Sequence, residues 1–412
     1  MKQLIASTLA MVVIPATITQ THAGDWAQWR GPNGNNIAPA GERIPVEWSS
    51  TKNVLWKVNV PGRGHASPTV VGDLIVLSSA EEPSQRQGVF AFDRRTGKQV
   101  WGEVVSTGGF PKIHPKNTHA SATTCSDGRL IFATFCHHQT IEAFAFDLSG
   151  KLQWKQTVGG FRPRQYEYGY AASPTLYNGT LIVSGDTDTV AWLKALDTKT
   201  GRIVWEQERP RKLNWASPII ATVSGKEQLF LSGCEMMAAY DPGSGKPLWS
   251  TPCLTMATCG TAVWDEDTVY ASGGYPKPET VAVKADGSGR ILWRNRVKCY
   301  EQSMLLHNGY LYGFSDTGVM YCWEAKTGRE MWKERLQGPV SASPLLVGDT
   351  IYASNERGVT FVFKANPQRF TPVAKNQLGR ESFASPTVAD NVLFLRVTEG
   401  GRQEVLYAIS DQ

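Results

Sequence analysis

Short apolar runs recur along the chain, each set off by a turn signal such as Gly72-Asp73, Asn178-Gly179, Asn308-Gly309 or Gly348-Asp349. That pattern predicts strands joined by tight hairpins. Two phrases keep the beat. The first, HASPTVVGDLIVLSS from His65, returns at Ala171, Trp215, Ser341 and Phe383, with weaker copies at His119, Cys259 and Glu301. It aligns a hydroxyl in each copy: Ser67, Ser121, Ser173, Ser217, Thr261, Ser303, Ser343 and Ser385. The second is AFDRRTGKQVW from Ala91 to Trp101, repeated at Ala195 to Trp205 and Ala239 to Trp249. Shorter or weaker copies end at Trp154, Trp293 and Trp332.

The second phrase reads as a hairpin. Its Asp and Thr/Ser side chains bond to turn backbone, its Gly supplies positive φ, and the following strand carries the Trp. Both phrases repeat at about 45 residues, the length of a four-stranded propeller unit. The expected fold is therefore all-β: an eight-bladed β-propeller with four antiparallel strands, A to D, in each blade. The last unit stops at Leu406 to Ser410 without its Trp-bearing strand, whereas Asn53 to Val60 is an orphan strand with Trp56 in phase. Pairing that N-terminal strand into the last blade closes the ring and removes two open edges. Trp56, Trp101, Trp154, Trp205, Trp249, Trp293 and Trp332 are then expected to pack blade on blade. Blade seven has Val373-Ala374 near that position, so a looser outer gap is expected there.

Composition narrows the class. Charged residues are 19%, with 39 Gly and 23 Pro, which excludes a disordered chain, a coiled coil or a helical bundle. Residues 1–23 read as a secretory signal, with Lys2 ahead of a short apolar run and a small residue, Ala23, at the cut. The expectation is an exported protein, periplasmic or extracellular, soluble after cleavage, monomeric and not membrane-spanning. Residues 24–52 are expected to pack on the propeller formed by 53–412. A net charge of +5 is too mild for a nucleic-acid partner. Seven cysteines leave at least one unpaired, and a bridge between Cys253 and Cys259 is one option.

The A-x-D-x-x-T-G-x-x-x-W pattern at this period resembles the tryptophan-docking repeat of the pyrroloquinoline-quinone (PQQ)-like β-propeller family. The resemblance extends over residues 53–412, and Asp25 to Pro32 resembles the leader of exported members. It implies one of two functions. One branch contains dehydrogenases that oxidise alcohols or sugars with PQQ and Ca²⁺ on the propeller axis, the quinone lying between a Trp and a disulfide of adjacent cysteines. This chain has no adjacent cysteines. The other branch contains non-catalytic propellers, such as the scaffold subunit of the outer-membrane protein assembly machine. The reading adopted is the binding or scaffold module, with no cofactor and no metal; the quinone-dependent dehydrogenase is the alternative.

In such a propeller the D–A and B–C loops emerge on one face around the axial channel. The long D–A loops carry Lys112, Arg162, Arg164, Arg209, Arg211 and Lys212, interleaved with aromatics that include Tyr168 and Trp215. The first residues of the A strands, among them His65, His119, Trp215, Cys259 and Glu301, should crowd the channel mouth. This face is expected to receive a protein partner rich in acids, or an anionic or sugar-like ligand. Asp186-Thr187-Asp188 is a weak calcium signal, because calcium takes six to eight oxygens. The ring should hold the His, Cys and Glu side chains too far apart to share an ion.

Overall fold

The computed structural model describes residues 24–411, so the signal-like segment 1–23 lies outside the described residues. Eight four-stranded antiparallel sheets follow one another around a ring. Seven are built from consecutive strands, A innermost and D outermost. The eighth combines Thr387–Ala389, Val392–Thr398 and Glu404–Ile409 with the N-terminal strand Val54–Val60. Trp56 opposes Ala408 in that pairing, the register in which Trp101 opposes Ala91 and Trp154 opposes Ala145. The expected closure is what the chain forms. The seam is also tied to blade one: Arg396 Nη1 donates to Ser78 O at 2.8 Å and Thr387 Oγ1 to Pro68 O at 2.8 Å.

The docking tryptophans show why the repeat contains what it does. Asp93 Oδ1 accepts from Thr96 N and Oγ1 at 2.8 and 2.7 Å, which sets the turn. Gly97 follows with φ +71°, and a Cβ there would lie 2.4 Å from the Trp56 ring of the preceding blade. Gly is thus required twice, for the dihedral and for the close approach. Five of the seven indoles donate to a carbonyl in the next blade, as in Trp101 to Leu148 O at 3.0 Å and Trp154 to Thr198 O at 2.8 Å, while Trp249 donates to Gln228 of its own blade and Trp205 Nε1 is buried without a partner.

Blade seven departs from the expected looseness. Ala374 occupies the tryptophan register opposite Val362, but Trp48 of the N-terminal segment enters the slot. Its ring stacks on Tyr352 with centroids 6.1 Å apart, matching Phe132–Trp154 at 5.9 Å in blade two. Asn376 of the same blade grips the segment at both ends of its amide, accepting from Trp48 N at 3.1 Å and donating to Val46 O at 2.8 Å. The volume is filled from outside the repeat.

A ring of hydroxyls circles the inner end of the blades. Thr123 N donates to Ser173 Oγ, Ser173 N to Ser217 Oγ, Thr261 N to Ser303 Oγ, Ser303 N to Ser343 Oγ, and Ser343 N to Ser385 Oγ, all at 2.9 to 3.0 Å. Ser385 N bonds Ser67 Oγ and Ser67 N bonds Thr123 Oγ1, which carries the chain of bonds through the seam; it is interrupted between Ser217 and Thr261, whose Oγ1 accepts from Trp29 instead. Thr123 therefore takes the place expected of Ser121. Ser121 instead bonds Asn117 Oδ1 at 2.6 Å, because the second A strand has slipped two residues relative to its phrase.

Candidate functional site

The two faces of the ring are treated differently. Residues 24–48 run across the face of the A–B and C–D turns. Asp25 Oδ1 accepts from Gly72 N of blade one, and the buried Arg30 donates to Met304 O of blade six. Ile37 bridges to Leu346 of blade seven, and Glu42 accepts from the backbone of Asp390 and Asn391 in blade eight. Trp29 enters the axis and its Nε1 donates to Thr261 Oγ1 at 3.0 Å. The channel is thereby closed at the turn face and becomes a blind pocket of about 270 Å³ that opens among the D–A and B–C loops.

Two kinds of wall line it. One side is aromatic: Trp215 lies 5.3 Å from Tyr168, Tyr168 lies 5.2 Å from Tyr166, and Tyr275 meets Tyr166 edge-on. Trp215 Nε1 donates to Gly169 O at 2.7 Å, which fixes the indole plane. The other side is ionic. Lys116 Nζ lies 2.9 Å from both Glu301 oxygens and 2.6 Å from Glu356 Oε1. Ser341 Oγ sits 2.5 Å from Glu301 and 2.7 Å from Glu356. Lys116 belongs to the loop leading into blade two and Glu301 starts blade six, so this contact spans the axis. Burial works against the Lys116 ammonium, but Glu301 and Glu356 more than offset it and raise its pKa.

His65 stacks on Phe383 at 4.4 Å, and burial with Arg396, Arg63 and Lys116 nearby brings its pKa down to about 3. It is a neutral imidazole, and its buried Nε2 has no hydrogen-bond partner. Cys259 lines the pocket as a thiol whose pKa burial, then Glu301, push well above the ordinary value, so it is not a nucleophile in waiting. All seven cysteines are free, Cys253 and Cys259 included.

Of the expected site residues, His65, Tyr168, Trp215 and Glu301 meet in this pocket. His119 does not: it stacks on Phe110 at 4.0 Å beside a separate, water-sized void. Lys112 pairs with Glu167 and Lys212 with Glu235, both outside the pocket, while Arg162, Arg164 and Arg211 are exposed on the rim. Arg209 is not on the surface at all. Its side chain is fully buried, with Nε at 3.0 and 2.9 Å from the two Asp186 oxygens. A charged group there is tolerated only because it is paired. Asp188 caps Arg164 N and Gln165 N instead, so the two acids of Asp186-Thr187-Asp188 face different partners. The sequence reading missed Lys116, Ser341 and Glu356 as a unit. Ser341 and Glu356 both belong to loops of blade seven, but Lys116 comes from the loop before blade two, and no local spacing links it to them.

The residues present do not fit PQQ with Ca²⁺. The quinone is a tricarboxylate, whereas the pocket offers one lysine already shared between two glutamates and a histidine held neutral. Among the described residues, no three His, Cys, Asp or Glu side chains gather as a metal site.

Comparison with known proteins gives the lineage. The family described as outer membrane protein assembly factor BamB matches residues 32–165, 85–334 and 277–368. A protein of that name from Burkholderia pseudomallei is 25% identical over 87% of this chain and 90% of its own. A polyvinylalcohol dehydrogenase from a Pseudomonas species is 22% identical over 59% of this chain, which spans 46% of that relative's length. Among solved structures, BamB from Moraxella catarrhalis superposes with a TM-score of 0.63 at 14% identity, covering 87% of this chain and 98% of that one. Quinohemoprotein alcohol dehydrogenase from Comamonas testosteroni gives 0.67 at 11% identity, covering 97% and 83%. At such identities these two structures share the fold.

Proposed function

Because this chain belongs to the family of outer membrane protein assembly factor BamB, we propose that it is an exported, non-catalytic binding module that docks a protein partner on its loop face. The asymmetry of the ring carries this reading. The N-terminal segment occupies the turn face, while the loop face stays open and presents Arg162, Arg164 and Arg211, guanidinium groups with no ion pair among the described residues, beside the exposed Tyr275. Exposed Arg and Tyr are the residue types that anchor protein interfaces. An acid-rich surface on an envelope protein is the complement. The quinone-dependent alternative is weaker, because a trianion would enter a pocket whose one lining lysine is already held by Glu301 and Glu356.

The test is capture of a partner from envelope extract by the mature protein. Reversal of Arg162, Arg164 and Arg211 to Glu should abolish capture of the species retained by the parent chain. Reversal of Lys199 and Lys246, in turns of the opposite face, should leave it intact. Equal capture by both variants would move the interface off the loop face.

A further inference from the structure

The blind axial pocket has a chemistry opposite to that of its rim. Outside the pocket, the loop face carries the exposed guanidinium groups of Arg162, Arg164 and Arg211. Inside, two carboxylates share one ammonium, so the corner formed by Glu301, Glu356 and Lys116 is one positive charge short of balance. Ser341 has a single proton to offer two carboxylate oxygens at 2.5 and 2.7 Å, which leaves acceptors in surplus. Facing this corner, Trp215 and Tyr168 present π surfaces, which attract cations through their quadrupoles. A third feature is independent of both. His65 lines the same cavity with a buried Nε2 that lacks a partner, and with its proton on Nδ1 that nitrogen is one more acceptor.

We propose that this pocket is a binding site for an organic ammonium: a positively charged nitrogen on a flat or apolar body. The nitrogen sits against Glu301, which lines the pocket, with Glu356 behind it adding to the negative charge of the corner, and the body lies on Trp215 and Tyr168. Lys116 already shows how the carboxylate pair holds an ammonium, at 2.6 to 2.9 Å. About 270 Å³ of space limits the guest to a small molecule or a single side chain. Anions are rejected by the uncompensated carboxylates. The wall geometry also explains a free thiol at the site without giving it a reaction, since Cys259 is a soft, neutral patch between the aromatic and ionic sides.

The site does not depend on the protein-docking reading. An amine titration needs no partner and the capture experiment needs no amine, so each can fail alone. The probes are phenethylammonium, the uncharged phenethyl alcohol and the anionic phenylacetate, titrated into mature protein with calorimetry and tryptophan fluorescence as readouts. Phenethylammonium should bind about tenfold or more tightly than the alcohol, the value of a charge-assisted contact, and phenylacetate should not bind. Glu356→Gln should weaken the ammonium about tenfold, and Lys116→Met, which removes the competing cation, should tighten it. A lysine-containing peptide that competes with phenethylammonium would identify the natural guest as a side chain; failure to compete would leave a free amine. The proposal is overturned if phenylacetate binds as well as the amine, or if Lys116→Met weakens amine binding. No amine binding up to about 10 mM by a folded chain would also overturn it.

Discussion

Blade two and blade seven solve the same packing problem with different parts of the chain. In blade two the slot is filled by Trp154 from the blade's own D strand, and its indole donates to Thr198 O at 2.8 Å in blade three. In blade seven the D strand offers Ala374, and Trp48 arrives from more than three hundred residues away in sequence to stack on Tyr352. The ring distances agree, yet Trp48 Nε1 is buried without a partner. Shape was recovered and the hydrogen bond was not. The difference teaches that the gap between blades demands volume first. It also gives the N-terminal segment a structural task besides closing the axis.

The sharpest test of that comparison removes each indole. Trp154→Ala should cost about 3–5 kcal/mol, the usual loss for a buried aromatic. Trp48→Ala should cost less by about 1 kcal/mol or more, because it also removes an unsatisfied N–H. Denaturant midpoints decide this, and equal losses would mean that the unpaired indole carries no penalty. Next in size is Asn376→Ala. It deletes two hydrogen bonds at about 1 kcal/mol each, and should expose residues 46–48 to limited proteolysis while the equivalent strand of blade two stays protected. If proteolysis is unchanged, Trp48 is held by stacking alone.

The last contrast is acid sensitivity, an effect graded with pH. Blade seven contains no histidine, whereas blade one begins with His65, whose pKa is held down to about 3, and blade two with His119, brought down to about 4 by burial. Both are depressed below the ordinary 6.5, so in this window the unfolded chain binds protons that the folded one does not. Stability is complete above about pH 6.5 and is lost as pH falls towards 4 and then 3. Each histidine contributes a slope of at most about 1.4 kcal/mol per pH unit. His65→Gln should flatten the fall in melting temperature between pH 6.5 and 4, with hydrogen exchange rising first at the seam of blades eight and one. A uniform rise that includes the Trp48 slot would remove the distinction.

Much of the fold was legible in the sequence because a propeller is periodic and its constraints are local. The Asp-Thr-Gly turn, the Trp that follows it and the orphan strand around Trp56 announce themselves within a dozen residues. Errors entered where position in space overrides residue type. Arg209 looks like a surface charge, but Asp186 and Tyr240 take it into the interior. Ser121 fits its phrase, but a two-residue slip hands the hydroxyl circle to Thr123.

What the sequence by itself determined, then, is the number of blades, their strand order and the identity of the closing strand, since hairpins and docking tryptophans act between neighbours along the chain. Only the tertiary structure decided that Trp29 stops the axis, that Trp48 completes a distant blade, and that Lys116 meets Glu301 across 185 positions. The physical reason is closure. Bending eight similar sheets into a ring brings loops from opposite blades within a few ångströms, and no spacing along the chain encodes a distance across the hole.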